Sequence, residues 1–572
     1  MGDFSFDLRT EPWIPCRLPG GQTVEVGLRE ALVRAHELET VADTSPLVTV
    51  ALHRVLVALV HRILAGPADA DAWATAFAAG RFDSASVDAY LDRWAGHFDL
   101  FDSGRPFMQT RVVEAGAKTT SVAKLAPERA SEGNSALLFN HAQGVSMTPA
   151  AAARSLVAAQ AFALGGLMTP WPSDPKTKTG NPDAPTARFA HTVVMGANLF
   201  ETLLRNTVRY APGADGEGYP RGTTAADRPA WERDPIARRG PRRPDGLLDA
   251  LTWRSRAIEL VPEDADGVVA VSWVALLGGE MLPDGYDLWT DSPEQMVGFR
   301  ANRAAERDPK QPASLPVRMN PDRVAWRDSA SLLGIGRGTR TPGVLGWLGR
   351  LSEKGYLPSS SMLPIDVMGQ IANRTKLVAW RHERLPLTLA LMIDPDRRDI
   401  LAKALLIAEA AGRCVGDTSN GSPMAFIAHV ADGNTAVLPQ GQRDKFRAFA
   451  RAFDDSRTYW ARMDVAFGRF IVALADDGRD DAAVVGAWRE AAAAAARTAF
   501  YSAIEPLRSA GEALVMAQAE LSFERRLKAA LSGKPADAGA ADAGAASGSA
   551  DVDESATEEE DDMTGPEAEE AI

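Results

Sequence analysis

The chain has 572 residues and a formal net charge of −14 at pH 7. Hydrophobic residues make up 45% and charged residues 24%, which excludes a coiled coil or a chain disordered throughout and suits two to four domains. No stretch reads as the roughly 20 apolar residues that span a bilayer, and MGDFSFDLRTEPWIP lacks the basic region and apolar core of a secretory signal. The two cysteines, Cys16 and Cys414, are too few for a disulfide framework or a thiolate zinc site, and they point to a reducing cytoplasm.

In chain order, the first 30 residues read as β-rich. Trp13, Ile14 and Pro15 precede a Gly20-Gly21 turn, after which Thr23, Val24 and Val26 continue a strand pattern, and a helix begins near Leu28. SPLVTVALHRVLVALVHRIL (Ser45 to Leu64) reads as a core helix with Ser45 as N-cap and Pro46 in the first turn. His53 and His61 stand eight apart on it, so they read as half-buried helix residues and not as a ligand pair, which needs i, i+3 or i+4 spacing. PAAAARSLVAAQAFALGG, from Pro149, is a helix that stops at Gly165-Gly166. The Pro-rich loop after it carries Lys176 and Lys178.

Between Arg221 and Arg256, nine basic residues face five acidic ones, with Arg238, Arg239, Arg242 and Arg243 clustered. From Arg300 to Arg327 the count is seven to three. Proline and glycine mark both segments as exposed loops or hairpins and not as core. From about residue 385 helical periodicity dominates, over Arg397–Gly412, Arg443–Asp476, Asp481–Ser509 and Gly511–Leu531. Phe446, Phe449, Phe453, Trp460, Met463, Phe467, Phe470 and Ile471 line one face of the second segment as a core stripe. Four such helices make a bundle. The last segment, Gly533 to Ile572, holds 13 acidic residues and one lysine and no aromatic residue, so it reads as a disordered, solubilising acidic tail. Without it the body carries a net charge of −2, and local basic patches matter more than the sum.

The catalytic inventory is thin. The chain has no G-x-S-x-G elbow, no H-E-x-x-H and no Walker A sequence, and its eight histidines are scattered without ligand spacing. Gly334-Ile335-Gly336-Arg337-Gly338 has the glycine density of a phosphate cradle, but Arg340 and Pro342 stand where a helix should begin, so it reads as a turn. Asp454-Asp455 reads as a solvated carboxylate pair on a helix face. Three readings stay open on these grounds: a binding subunit, an enzyme built from dispersed residues, and a scaffold that binds only proteins.

Several segments in ordered succession resemble one family: FDLRTEPWIPCRLPGG at the start, RPFMQT (Arg105 to Thr110), the helix ending AFALGG, LTWRSRAIEL (Leu251 to Leu260) and MGQIANRTKLVAWRHER (Met368 to Arg384). Together they are similar to the CasA family, the large subunit of Cascade, the type I-E CRISPR surveillance complex, over residues 1 to about 530. The resemblance implies an α+β protein: an N-terminal mixed α/β domain of unusual topology (1–384), then a C-terminal four-helix bundle (385–532), with the tail (533–572) outside it.

It also implies a non-catalytic subunit. Such a protein recognises the short PAM in double-stranded target DNA, helps open it for pairing with CRISPR RNA, contacts other Cascade subunits and receives a helicase–nuclease. The family's PAM-reading glycine loop matches Ala163, Leu164, Gly165 and Gly166; glycines let backbone groups approach base edges in a narrow groove. Its duplex wedge matches Asn373, Arg374, Thr375 and Lys376; some members carry glutamine where this chain has Arg374 or Thr375. Its loop for the RNA 5′ handle and neighbouring subunits matches Ser131 to Gln143, with Asn134, Phe139 and Asn140 as candidates. Phe139 equally fits simple core packing. The family's β-hairpin finger carries a lysine, whereas the matching region here, roughly Val269 to Trp289, has none. Either backbone near Gly278-Gly279 or arginines from Arg300 onward would take its place. Lys176, Lys178, Arg238, Arg239, Arg242 and Arg243 are the phosphate-binding candidates, and no metal or cofactor is expected.

Overall fold

The structure, a computed structural model, describes residues 4–126, 145–175, 180–214, 218–308, 311–321, 323–416, 440–507 and 513–532. Asn134, Phe139, Asn140, Lys176, Lys178 and the acidic tail lie outside the described residues. By packing, the chain divides into two units. One gathers the described residues of Met1–Ala408 and Trp460–Ala495; the other gathers those of Glu409–Tyr459 and Ala496–Ile572.

The first unit is mixed α+β. Ile14–Arg17 pairs antiparallel with Thr23–Val26 across the Gly20-Gly21 turn, where both glycines have positive φ, and its other edge takes Thr40–Val41. The helix Pro46–Leu64 follows. Ser45 stands at its N-cap without a side-chain capping bond; the Asp43 carboxylate accepts from the Ser45 N–H instead, at 2.8 Å. Every residue from Pro46 to His61 is buried. This corrects the expectation that no segment could cross a membrane: the helix has the length and apolarity, and the fold uses them for the core. It packs against the helices Pro149–Phe162 and Leu199–Arg205 and the strand Met362–Asn373. Each Leu or Val fully buried there contributes roughly 1.5–3 kcal/mol relative to exposure. His53 and His61 are fully buried, not half-buried as the spacing suggested.

Two long hairpins shape the rest of this unit. Arg256–Ala265 turns at Asp266-Gly267, both with positive φ, into Val268–Gly278, whose far edge takes Thr119–Ser121. Met362–Asn373 turns at Arg374-Thr375 into Lys376–Thr388, with His191–Val194 on the other side of the first strand. The segment Val269 to Trp289 therefore covers most of the return strand of the first hairpin, the short strand Glu280–Met281 that pairs with Gly240–Pro241, and the turns after it, and the hairpin itself begins at Arg256.

The two basic segments are not simply exposed loops. Between Arg221 and Arg256 the fold buries Trp231, Leu247, Leu248, Leu251, Arg254 and Arg256, and near the end of the second it buries Val317, Met319 and Trp326. Trp326 stacks on Phe467 at 4.7 Å and meets Trp488 edge-on at 6.1 Å, so these aromatic residues belong to the core of the first unit. Glycine and proline marked the turns correctly, but the apolar residues between them were the stronger signal.

The C-terminal region is helical, with Pro395–Gly416, Gln440–Arg451, Ser456–Ala475, Asp481–Ile504 and Ala513–Leu531. The segment expected as one helix from Arg443 to Asp476 breaks at residues 452–455. Asp454 accepts from the Ser456 N–H at 2.8 Å, and Asp455 accepts from the Thr458 hydroxyl at 2.6 Å. The carboxylates thus stand at a helix start rather than on its face: Asp454 takes a backbone donor of the first residue and Asp455 a hydroxyl of the first turn. The break also divides the aromatic stripe: Met463, Phe467, Phe470 and Ile471 are buried, whereas Phe449 is exposed. In the second unit, Phe500 and Phe523 stack at 4.0 Å, both fully buried.

Candidate nucleic-acid interface

The helix Pro149–Phe162 opens with Thr148, whose side chain accepts from the Ala151 N–H. It ends earlier than the glycines suggested. Ala163 already has extended geometry (φ −57°, ψ 125°), and Gly166 opens a short strand, Gly166–Leu167, that pairs with Gly180–Asn181. The glycines are needed for close approach rather than as a helix cap. A Cβ at Gly165 would lie 2.7 Å from the Asn181 carbonyl oxygen, and Gly166 has φ +148°. Leu167, directly after the pair, is 84% exposed, a large apolar side chain presented to solvent.

The loop is laced from below. The Gly165 N–H donates to Asp183 Oδ1 at 2.6 Å, and the Ala184 N–H donates to the Ala163 carbonyl at 2.8 Å. Arg256 donates from Nη2 to the carbonyls of Leu164 and Pro182, both at 2.9 Å. Its guanidinium is buried and sits among carbonyls; burial lowers its pKa to about 10. Gln160, near the end of the helix, both accepts from the Arg256 N–H and donates to its carbonyl, fixing the strand to the helix.

The wedge turn lies beside this loop. Asn373 pairs with Lys376, and the two-residue connection places Arg374 in the left-handed region at φ +51°. Asn373, Arg374, Thr375 and Lys376 are all exposed. A register shift between Ile371 and Ala372 interrupts the ladder just behind the tip, the kind of irregularity that re-aims a strand end. A Cβ at Gly166 would lie 3.9 Å from Thr375 Cγ2, so the two predicted elements, far apart in sequence, meet.

The arginine cluster separates into different roles. Arg238 is exposed. Arg239 reaches back to donate to the Gly180 carbonyl, beside the glycine strand. Arg242 is a structural cation, bound to Asp249 and to Glu280 at 2.6 Å, with its guanidinium 4.0 Å from the Trp253 ring centre. Burial opposes its charge, but the two carboxylates outweigh it and hold its pKa above the usual value. That removes Arg242 from the cations free for phosphate. Arg243 is more open and pairs with Asp291 at 2.9 Å. The alternatives for a finger cation also narrow. A Cβ at Gly278 would lie 2.1 Å from Asn181 Oδ1, and one at Gly279 would lie 2.6 Å from the Arg254 carbonyl, so that backbone is enclosed.

Sequence reasoning missed Asp183, Arg188, Gln370 and Arg256. Gln370 and Arg256 lie inside the resemblance motifs but carry no local signal of their role, since their partners are distant in sequence. Among the described residues, no group of three or more His, Cys, Asp or Glu is placed to hold a metal ion. The glycine cradle Gly334–Gly338 precedes a helix that starts only at Gly343, after Pro342, so the turn does not point a helix N-terminus at a ligand.

The fold defines a class first: a mixed α+β protein with a helical C-terminal region and long hairpins, whose glycine loop and cationic turn adjoin. Residues 7–499 match the family described as CRISPR-associated protein Cse1. A curated relative, CRISPR-associated protein CasA/Cse1 of Thermus thermophilus, is 31% identical over 547 residues, covering 91% of this chain and 97% of its own. The crystal structure of Cse1 from Acidimicrobium ferrooxidans matches with a TM-score of 0.76 at 27% identity, over 93% of this chain and 99% of that one. Cse1 of Thermobifida fusca matches equally well in fold, with a TM-score of 0.76 at 26% identity and the same coverage. The chain belongs to the CasA/Cse1 family of CRISPR-associated proteins.

Proposed function

We propose that this protein is the large, non-catalytic subunit of a type I-E CRISPR surveillance complex in the cytoplasm. In this reading it recognises the PAM in double-stranded target DNA, promotes opening of the duplex for pairing with CRISPR RNA, and receives the helicase–nuclease that degrades the target. Residues 1–384 do the DNA-facing work, the helices of residues 385–532, which follow the hairpin strand ending at Thr388, form the bundle, and Asn134, Phe139 and Asn140 contact the RNA handle and neighbouring subunits.

The observation that carries the reading is the adjacency of Gly165-Gly166 to the exposed turn Asn373–Lys376. A backbone able to approach base edges stands beside a polar, cationic tip that can enter the duplex end. Minor-groove readers that unstack a step meet a cost of a few kcal/mol, offset by phosphate contacts. Arg238, Arg239, Lys376, Lys176 and Lys178 supply candidates for those contacts, while the loop supplies sequence preference.

The test is a reconstituted complex carrying Gly165→Asp. Any Cβ at Gly165 meets the Asn181 carbonyl, and the added carboxylate would also repel phosphate. PAM-dependent duplex binding should weaken at least tenfold, with assembly on the other subunits intact. Normal binding by this variant would overturn the glycine-loop assignment.

A further inference from the structure

Asp183 and Arg188 join the glycine loop to the wedge turn. Asp183 Oδ1 accepts from the Gly165 N–H at 2.6 Å. Its other oxygen, Oδ2, accepts from Arg188 Nε. The same guanidinium donates from Nη2 to the carbonyl of Arg374 and from Nη1 to that of Ala372, at 3.5 Å. A second tie runs beneath it: Gln370, 2% exposed, donates to the carbonyls of Phe162 and Ala187, both at 2.9 Å. Phe162 ends the helix before the glycine loop, and Gln370 lies on the strand that runs to the turn.

We infer that the Asp183–Arg188 pair is a positioning device that fixes the wedge turn at a set distance from the glycine loop, so that reading the PAM places the wedge at the duplex end. The inference rests on the reading proposed above. Its physical basis is the shape of the arginine. One planar guanidinium, with three of its nitrogens engaged, locks the carboxylate that holds Gly165 to two carbonyls of the hairpin tip. Arg374 also needs such a tie. A side-chain-bearing residue at φ +51° is disfavoured, and donors on its carbonyl and on that of Ala372 hold the tip in that conformation. Both side chains of the pair are largely shielded, Arg188 18% and Asp183 28% exposed, which strengthens the pair over a surface one. Arg188 is thus a different kind of cation from Lys376: its donors are directed into the protein, and its role is geometric.

Arg188→Lys separates the two roles. It keeps the positive charge for any DNA phosphate but loses the fork. Asp183→Asn is the second variant; it retains an acceptor for Gly165 and loses the charge facing Arg188. In the reconstituted complex, opening is followed by 2-aminopurine fluorescence beside the PAM, and binding by titration with a PAM duplex and with the same target pre-melted. Arg188→Lys and Asp183→Asn should each slow opening about tenfold, a larger factor than the loss of PAM-duplex affinity, and binding to the pre-melted target should change less than opening. Thermal midpoints and subunit assembly establish that both variants are folded. Opening at the wild-type rate in Arg188→Lys, with Gly165→Asp impaired, overturns the positioning role and leaves the glycine-loop reading standing. Normal PAM binding by Gly165→Asp overturns that reading and this inference with it.

Discussion

At the scale of single residues, the buried histidines give the protein a pH response. His61 sits fully inside the core helix, where burial lowers its pKa to about 4 against the opposing bond to the Gly66 carbonyl. His191 is lowered to about 3, first by burial and then by the nearby Arg54 charge, with Glu294 acting the other way. His53 is lowered by burial as well. Each is therefore neutral in the folded state and takes up a proton more readily when unfolded. Their stabilising effect is fully present above about pH 6.5, the unfolded value, and is lost as pH falls toward the folded values. Thermal or urea unfolding between pH 7 and pH 5 should show stability falling by roughly 1.4 kcal/mol per pH unit for each extra proton bound on unfolding. In His191→Gln the slope of that dependence, whatever the midpoint, should flatten; an unchanged slope would remove His191 from the account. The burial itself was only half visible in the sequence. The long apolar run of Ser45–Leu64, with Ser45 as N-cap and Pro46 in the first turn, showed a core helix, but a segment apolar nearly all round hides which side meets a neighbour.

At the scale of elements, the hairpin Met362–Thr388 is the most consequential piece of the fold. Its strands show little alternation in the sequence, and the turn at Asn373-Arg374-Thr375-Lys376 was legible only through the family resemblance, since by its own residues it reads as an ordinary solvated basic loop. What the turn does is argued from its exposure, its register shift and its neighbour Gly166. Replacing Arg374 and Lys376 together by Ala should slow duplex opening, read by 2-aminopurine, about tenfold, while affinity for a pre-melted target falls no more than about threefold. Equal losses on both substrates would show these cations acting only as phosphate contacts. The aromatic stripe teaches the opposite lesson about legibility. Its period from Phe446 to Ile471 was regular enough to read as one helix, yet Asp454 and Asp455 restart the backbone in the middle. A capping side chain competes locally with a periodic pattern, and the pattern alone does not reveal which of the two prevails.

At the scale of the whole molecule, charge is the property that changed meaning. The sum of −14 argues against phosphate binding, but −12 of it resides in Gly533 to Ile572. The body is nearly neutral, and part of its positive charge is internal: Arg54 pairs with Glu294 at 2.7 Å with both side chains 3% exposed, and Arg242 and Arg256 are likewise engaged inside. Deleting residues 533–572 should leave the thermal midpoint unchanged and strengthen nonspecific duplex binding at low salt, an effect that fades as ionic strength rises. A salt-independent gain, or loss of folding, would give the tail a role beyond its charge.

The sequence by itself determined what local chemistry can encode: a β-rich start with a double-glycine turn, a buried helix at Pro46–Leu64, a glycine pair after an Ala-rich helix and a helical C-terminal region. Only the tertiary structure decided which of these features act together. Arg188 meets the carbonyl of Arg374 across 186 positions of sequence, and Arg256 meets that of Leu164 across 92. Nothing in the spacing of residues announces such bonds. Their donors are arginines of ordinary appearance, and their acceptors are backbone carbonyls that every residue possesses. Periodicity records which face of an element is buried, whereas a bond from a side chain to a distant carbonyl exists only once the intervening chain has folded and brought the two within reach.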